Sequence, residues 1–326
     1  MNRMTETTIG TAKVGLLADP HLGRTFIHGV PLEKRGVRER MVMDDFKAQL
    51  RASGRYEVHI CLGDLFDRWA APYAVVFQAA REYLRAARDN PGTRYYVIGG
   101  NHDIARDLEK KGALDLFELT VSACDNVTVV RHHDGGHVTT IGGIDVGLFP
   151  FHPTVAAADL VAEPIAVAFG HFDTMFGGGN LVPTTRLAQV GCRTVYTGHV
   201  HLADRFTRDG VEVIQVGSMQ ALAHGEDRGE RYVTLRPDEI EGKDLSGKCV
   251  RILLEPGEIF DRRVDCLQLS FKRAGTDDEA EAGRDEVTLG NFDLMALFNQ
   301  AFEEASVPAA IRKRIAERFE EARVGE

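Results

Sequence analysis

No stretch of the 326-residue sequence approaches the roughly 18 consecutive apolar residues of a membrane span, so a membrane-spanning protein is not the expectation. Cysteine is sparse. Cys61, Cys124, Cys192, Cys249 and Cys266 are scattered, and no Cys-x-x-Cys pair is present for zinc or dithiol redox work. An odd count in a chain this long also excludes a small disulfide scaffold, and reduced thiols in the cytoplasm are expected. Positive charge is in deficit. The 39 Lys and Arg stand against 49 Asp and Glu, a formal charge of -10, which excludes a wholly basic protein that coats nucleic acid. Residues 1–12 are polar and lack the apolar core of a secretory signal, so a cytoplasmic chain is expected, in the host cytoplasm if a phage encodes it. Internal repeats and low-complexity tracts are missing too.

What is present reads as a globular chain, 44% hydrophobic and 27% charged, long enough for two or three domains. From residue 13 to about 217, short apolar runs alternate with helical stretches, an α/β pattern. Runs at 14–18, 58–62, 95–98, 165–169 and 194–197 look like buried strands, each stopped by a polar or glycine-containing turn. Segments 127–131, 137–141 and 144–149 read as further strands, the last two joined by a tight turn at Gly142 and Gly143. Helical periodicity covers 38–50 and 72–88. After about residue 225 the character changes. Strands are expected at 231–236, 248–254 and 267–272, with a short helix at 256–264. An acidic stretch, 274–286, reads as a solvated linker, and two helices follow at 291–305 and 308–323.

The chemistry-bearing residues stand just after the apolar strands. Asp19 and His21 follow the first, and Asp64 the second. A Gly-Gly-Asn-His-Asp run with Asn101, His102 and Asp103 follows the third. His171 follows the fourth, and His199 and His201 the fifth. Open α/β sheets gather ligands at strand C-termini, so five separate segments can converge on one crevice. Each piece alone has a bland reading as a turn or as alternating strand residues. Five of them, in order and each at a strand end, point to a site. Carboxylate, imidazole and amide oxygen together suit manganese, iron or zinc. Two cations about 3.5–4 Å apart generate a nucleophile from water and clamp a phosphate.

This ordered set resembles the calcineurin-like metallophosphoesterase superfamily over residues 14 to about 217. The resemblance implies a β-sandwich flanked by helices, with one metal held by Asp19, His21, Asp64 and His201. The other would be held by Asp64, Asn101, His171 and His199, with Asp64 bridging. His102 would face the phosphate and serve the leaving oxygen, and Asp103 would orient His102. The surroundings of Asp19, Asp64 and His199, and residues 213–218, look like the SbcD-type nucleases of double-strand-break repair, including phage recombination endonuclease subunits. Met219 stands where many members of that family carry Pro. The implied activity is 3′-to-5′ exonuclease and endonuclease cleavage of DNA by two-metal hydroxide attack, with Mn²⁺ expected and Fe²⁺ or Zn²⁺ as alternatives. The implied partner is a coiled-coil ABC-type ATPase (SbcC-like), and a homodimer is expected.

The implied organisation is a nuclease domain at 1–224, a small α/β cap at 225–273, an acidic linker at 274–288 and a helical partner-binding segment at 289–326. In that last segment Phe292, Met295, Phe298 and Phe302, and then Ile311, Ile315 and Phe319, recur at helical spacing and suit either a partner groove or the chain's own core. DNA contact must be local given the net charge. Between residues 24 and 51 seven Lys and Arg outnumber four acids, so Arg24, Arg35 and Arg38 are candidates to follow phosphates. Arg68 and Trp69 are candidates for backbone and base contact. Two other functions remain open: a phosphatase or phosphodiesterase for a non-DNA substrate, and a DNA-end-binding scaffold with a vestigial site.

Overall fold

The structure, a computed structural model, describes residues 5–175, 179–226 and 231–274. The expected linker beyond Ala274 and the helical segment from 289 lie outside the described residues. So do Phe292, Met295, Phe298, Phe302, Ile311, Ile315 and Phe319.

Two mixed sheets stack on a shared core. The first contains β1 (Thr5–Ile9), β2 (Ala12–Leu17), β3 (Val58–Cys61), β4 (Arg94–Ile98) and β5 (Val127–Val130), in that spatial order. β1 pairs antiparallel with β2, and the rest run parallel. The second contains β6 (His137–Ile141), β7 (Ile144–Phe149), β8 (Val167–Gly170), β9 (Thr194–Thr197), β10 (Asp204–Arg208) and β11 (Val211–Gln215), in the order β10-β11-β9-β8-β7-β6. Its outer pairs are antiparallel and its four inner strands parallel.

The period-2 alternation of strands sorts their side chains into layers. Val14, Leu16, Val58, Ile60, Tyr96 and Ile98 point between the sheets and meet Val146, Leu148, Phe169 and Tyr196. Their neighbours Leu17, Cys61, Tyr95 and Val97 point outward, under α1 (Val37–Ala52), α2 (Tyr73–Asp89) and α3 (Ala113–Val121). On the far face of the second sheet, Val195 and Val213 pack with Ala157 of α4 (Ala157–Leu160) and Leu187 of α5 (Thr184–Gln189). Burial on both faces explains why the inner strands read as unbroken apolar runs.

The third sheet joins β12 (Tyr232–Leu235), β13 (Cys249–Leu254) and β14 (Gln268–Arg273), all parallel. Parallel neighbours need crossovers of about a dozen residues. Here those are 236–248 and 255–267. The short helix expected at 256–264 is not formed. Gly257 sits at φ 83°, a left-handed conformation that ends any helical start after Pro256, and the segment crosses as irregular chain. Tyr232, Cys249 and Leu267 seat this sheet against Val37 and Met41 of α1. The strands β1, β10 and β11 and the helix α3 were not among the expected elements.

Candidate metal centre

β2, β3 and β4 of the first sheet and β8 and β9 of the second end at one place. The residues after them converge there. Asp19, His21, Asp64 and His171 are buried, and Asn101, His102, His199 and His201 are partly so. The geometry brings them together in two main sets. Asp19, His21 and His201 offer ligand atoms to one another, Asp64, His171 and His199 form a second group, and His21, Asp64 and His102 make an overlapping third. Asn101 Oδ1 joins the second group, 2.8 Å from His171 Nε2 and 2.9 Å from His199 Nδ1. Asp64 Oδ2 lies between the groups, 3.5 Å from His21 Nε2 and 3.4 Å from His171 Nε2. Its other oxygen accepts the His102 backbone N–H at 2.9 Å. A single oxygen therefore faces both groups.

Backbone strain is concentrated here. Five non-glycine residues among those described have positive φ, and four of them are Asp19 (47°), His21 (43°), Asp64 (48°) and His199 (77°). Each such conformation costs on the order of 1–3 kcal/mol and persists only where the surroundings over-determine it. The surroundings do so. His21 N–H donates to the Asp64 carbonyl at 3.0 Å, Leu22 N–H to the Leu65 carbonyl at 2.9 Å, and His199 N–H to Asp19 Oδ1 at 2.9 Å. Glycine is required where the chains touch. A Cβ on Gly63, at φ 102°, would come within 2.1 Å of His171 Nδ1, and one on Gly100 within 2.1 Å of Asp64 Oδ1.

Hydrogen bonds fix the ring tautomers. A carbonyl only accepts, so His171 Nδ1 donates to the Leu62 carbonyl at 2.8 Å. Its Nε2 then points toward Asn101 Oδ1 and Asp64. Likewise His201 Nδ1 donates to Glu226 Oε1 at 2.9 Å, which turns its Nε2 to within 3.1 Å of His21 Nε2. His21 Nδ1 faces Asp67 Oδ1 at 3.5 Å. Electron pairs converging at such distances repel one another unless positive charge sits among them. The proton affinities show the same pull. Burial opposes charge on His171, but Asp64 and Asp19 overcome it and push its pKa up to about 9. Burial also opposes charge on His201, yet Glu226 and Asp19 raise its pKa. Asp64 is held well below the usual carboxylate range, with burial outweighed by His171, His21 and His102. Burial raises Asp19 against the pull of His171 and His201. Burial, with the charge of His171, lowers His199 to about 4, so it presents a neutral imidazole. The residues fit a pair of divalent cations: hard oxygens and neutral imidazole nitrogens, arranged in two groups around one shared carboxylate.

His102 stands beside this set, its ring centroid 4.8 Å from that of His21. Its Nδ1 donates to the Asp67 carbonyl at 2.8 Å, which leaves Nε2 outside that bond. Asp103, expected to orient His102, does something else. Its carboxylate accepts the backbone N–H groups of Phe66 (2.9 Å), Gly100 (2.9 Å) and Leu65 (3.2 Å) and so ties the two motif loops together. Burial and Asp64 push Asp103 up to about 7.

The expected DNA-contact residues separate. Arg35 and Arg68 are exposed. Arg24 borders the site, its guanidinium 3.4 Å from Asp67 Oδ1, and Arg68 lies 3.6 Å from Asp67 Oδ2. Trp69 is half-buried, and its ring lies over Gly112 at the start of α3. Arg38 is 1% exposed and cannot follow phosphates on a surface. A charge pattern along a helix does not reveal which cation turns inward, and α1 turns this one under the third sheet.

Two residues in the site were missed. Asp67 holds His102 by its carbonyl and faces His21 and Arg24 by its carboxylate. Its only signal was its place three residues after Asp64. Glu226, which orients His201, sits in a polar turn with no motif to mark it.

Comparison with protein families gives one match, the calcineurin-like phosphoesterase model, over residues 12–203. That span opens at β2 and closes two residues beyond His201. Comparison with curated proteins gave no match. Among the described residues no helix is long and apolar enough to cross a membrane. The matched span covers more than half of the chain and contains both ligand groups, so the chain belongs to the calcineurin-like phosphoesterases, whose members hydrolyse phosphoesters with divalent metals.

Proposed function

We propose that this phosphoesterase is the DNA-cleaving subunit of a repair or recombination complex, of the SbcD type. The observation that carries the reading is the pair of ligand groups sharing Asp64 with His102 alongside. Two divalent cations, which we take to be Mn²⁺, would supply Lewis acidity and a nucleophile drawn from water. Asp19, His21, Asp64 and His201 would hold one, and Asp64, Asn101, His171 and His199 the other. His102, fixed at Nδ1 by the Asp67 carbonyl, presents Nε2 to the phosphate. In its charged form Nε2–H donates to a developing oxyanion or to the leaving 3′-oxygen. Arg24 and Arg68, on either side of Asp67, supply positive charge for the flanking backbone phosphates.

The reading includes the division at residues 224 and 273 and an ATPase-binding role for 289–326. It also includes a second copy of the chain on α2 and α3. Tyr73 and Phe77 on α2 and Leu116 and Leu119 on α3 are exposed apolar residues on two packed helices, with Tyr73 82% and Leu119 74% exposed. Free cysteines throughout suit a reducing, cytoplasmic location.

The test is cleavage of linear DNA with Mn²⁺ by the purified chain, with and without its ATPase. Release of nucleotides from 3′ ends, removed by His102→Ala, is the expected result. Turnover of a nucleotide or chromogenic phosphoester with intact DNA in both conditions would refute the substrate assignment.

A further inference from the structure

The third sheet touches the metal centre through a continuous line of hydrogen bonds. Tyr232, the first residue of β12, donates its hydroxyl to the Leu222 carbonyl at 2.7 Å. Leu222 N–H donates to Glu226 Oε2 at 2.7 Å, with Ala223 N–H a longer second donor at 3.3 Å. The other Glu226 oxygen accepts the His201 Nδ1 proton at 2.9 Å. Arg38 locks the same loop from the α1 side. It donates to Gln220 Oε1 at 2.8 Å and to the Ala221 carbonyl at 3.0 Å, and its guanidinium reaches the Tyr232 hydroxyl at 3.4 Å. It also lies over the Phe26 ring, 4.7 Å from the centroid, in the segment that follows His21. Gln220 in turn donates to Asp45 at 3.1 Å.

We propose that Glu226 is a positioning residue for His201, and that Tyr232 and Arg38 hold Glu226 in place, so that seating of the third sheet sets the affinity of the cation site built on Asp19, His21 and His201. This rests on the metal-centre reading above and is independent of the substrate.

The physical argument is about alternatives. Glu226 fixes which His201 nitrogen keeps the lone pair and raises its basicity, the usual effect of a carboxylate behind a ligating imidazole. The other group needs no such help from the third sheet. His171 is held by the Leu62 carbonyl within the sandwich, and His199 by its own backbone bond to Asp19. The two sites should therefore respond differently to the same disturbance. Linkage makes the effect reciprocal: a cation on His201 must tighten the seat of β12 as much as the seat tightens the cation.

Manganese titration of the full, metal-stripped chain by calorimetry, with no substrate, tests this. Wild type should take up two Mn²⁺. Glu226→Gln should weaken one of them by about 10–100-fold and leave the other alone. Tyr232→Phe should weaken the same ion severalfold, and it serves as the test if Glu226→Gln does not fold. His201→Ala should abolish that ion and leave the other, because Glu226 acts only through His201. Unchanged affinity at both sites, or equal weakening of both, would each overturn the proposal. A wild-type chain that takes up no Mn²⁺ would overturn the metal-centre reading beneath it.

Discussion

The two sheets end at the same crevice but hold their ligands by different means. On the first, Asp19, His21 and Asp64 are buried, strained at positive φ, and tied by backbone hydrogen bonds between their own loops. On the second, His171 is fixed by a carbonyl of the first sheet, while His201, 21% exposed, leans on a side chain 25 residues further along. Backbone-fixed ligands have their geometry built in when the sandwich closes. A side-chain-fixed ligand depends on whatever places its partner. Most of the centre is thus rigid, and His201 is its adjustable ligand.

Four changes would break or sharpen that contrast. The largest effect belongs to Asp64, the carboxylate that the two ligand groups share. Asp64→Ala should remove both cations and all measurable phosphoester turnover, as read by metal analysis beside activity. If one cation remained at full affinity, the groups would not share this ligand. His102→Ala should come next. It should lower kcat by about 10²–10⁴-fold, the usual yield of proton transfer, with both cations still bound. Loss of metal in that variant would make His102 a ligand instead. Gly63→Ala probes the seam, because the added methyl meets the His171 ring while forcing φ 102° on an alanine. It should destabilise the fold by about 1–3 kcal/mol and displace His171, a second-sheet ligand that the first sheet holds, read as a lower melting temperature with weaker metal binding. Unchanged binding would show that the ring can give way.

The smallest effect at neutral pH concerns His59 on β3, whose two ring nitrogens are buried without a hydrogen-bond partner and whose pKa burial lowers to about 4. The unfolded chain takes up this proton near pH 6.5, and the folded chain only near 4. Stability is therefore fully present above pH 6.5 and is lost as pH falls toward 4, by about 3 kcal/mol for a shift of this size. His59→Phe should remove that loss, visible as a flatter dependence of the urea midpoint on pH between 7 and 4. An identical slope in both proteins would show that the buried imidazole is hydrated.

How far the molecule could be read from its sequence follows the same division between rigid and adjustable. Inner strands such as β3 are short, wholly buried and bounded by glycine, so composition alone reveals them. The residues after them carry rare chemistry in a fixed order, and the structure brings those segments together. Two edge strands escaped, and the inner β11 beside one of them. β1 and β10 have solvent on one side, and sequences such as Asp204–Arg208 show no apolar run to find. The segment 256–264 looked helical by spacing, but one left-handed glycine decided otherwise. Arg38 was read as a surface cation because sequence gives the charge and hides the direction. Glu226 and the carbonyl of Asp67 were invisible for a deeper reason: their roles depend on tertiary placement of ordinary residues.

The strand order of the second sheet sets a schedule for the growing chain. β9 pairs with β8 on one side and with β11 on the other, and β11 is synthesised later than either. His199 and His201 lie between β9 and β11 in sequence, so they leave the ribosome while their strand still has an open edge. Glu226, which orients His201, follows later still. The full set of contacts around the metal centre is therefore encoded only once the strands of the sandwich have all been made.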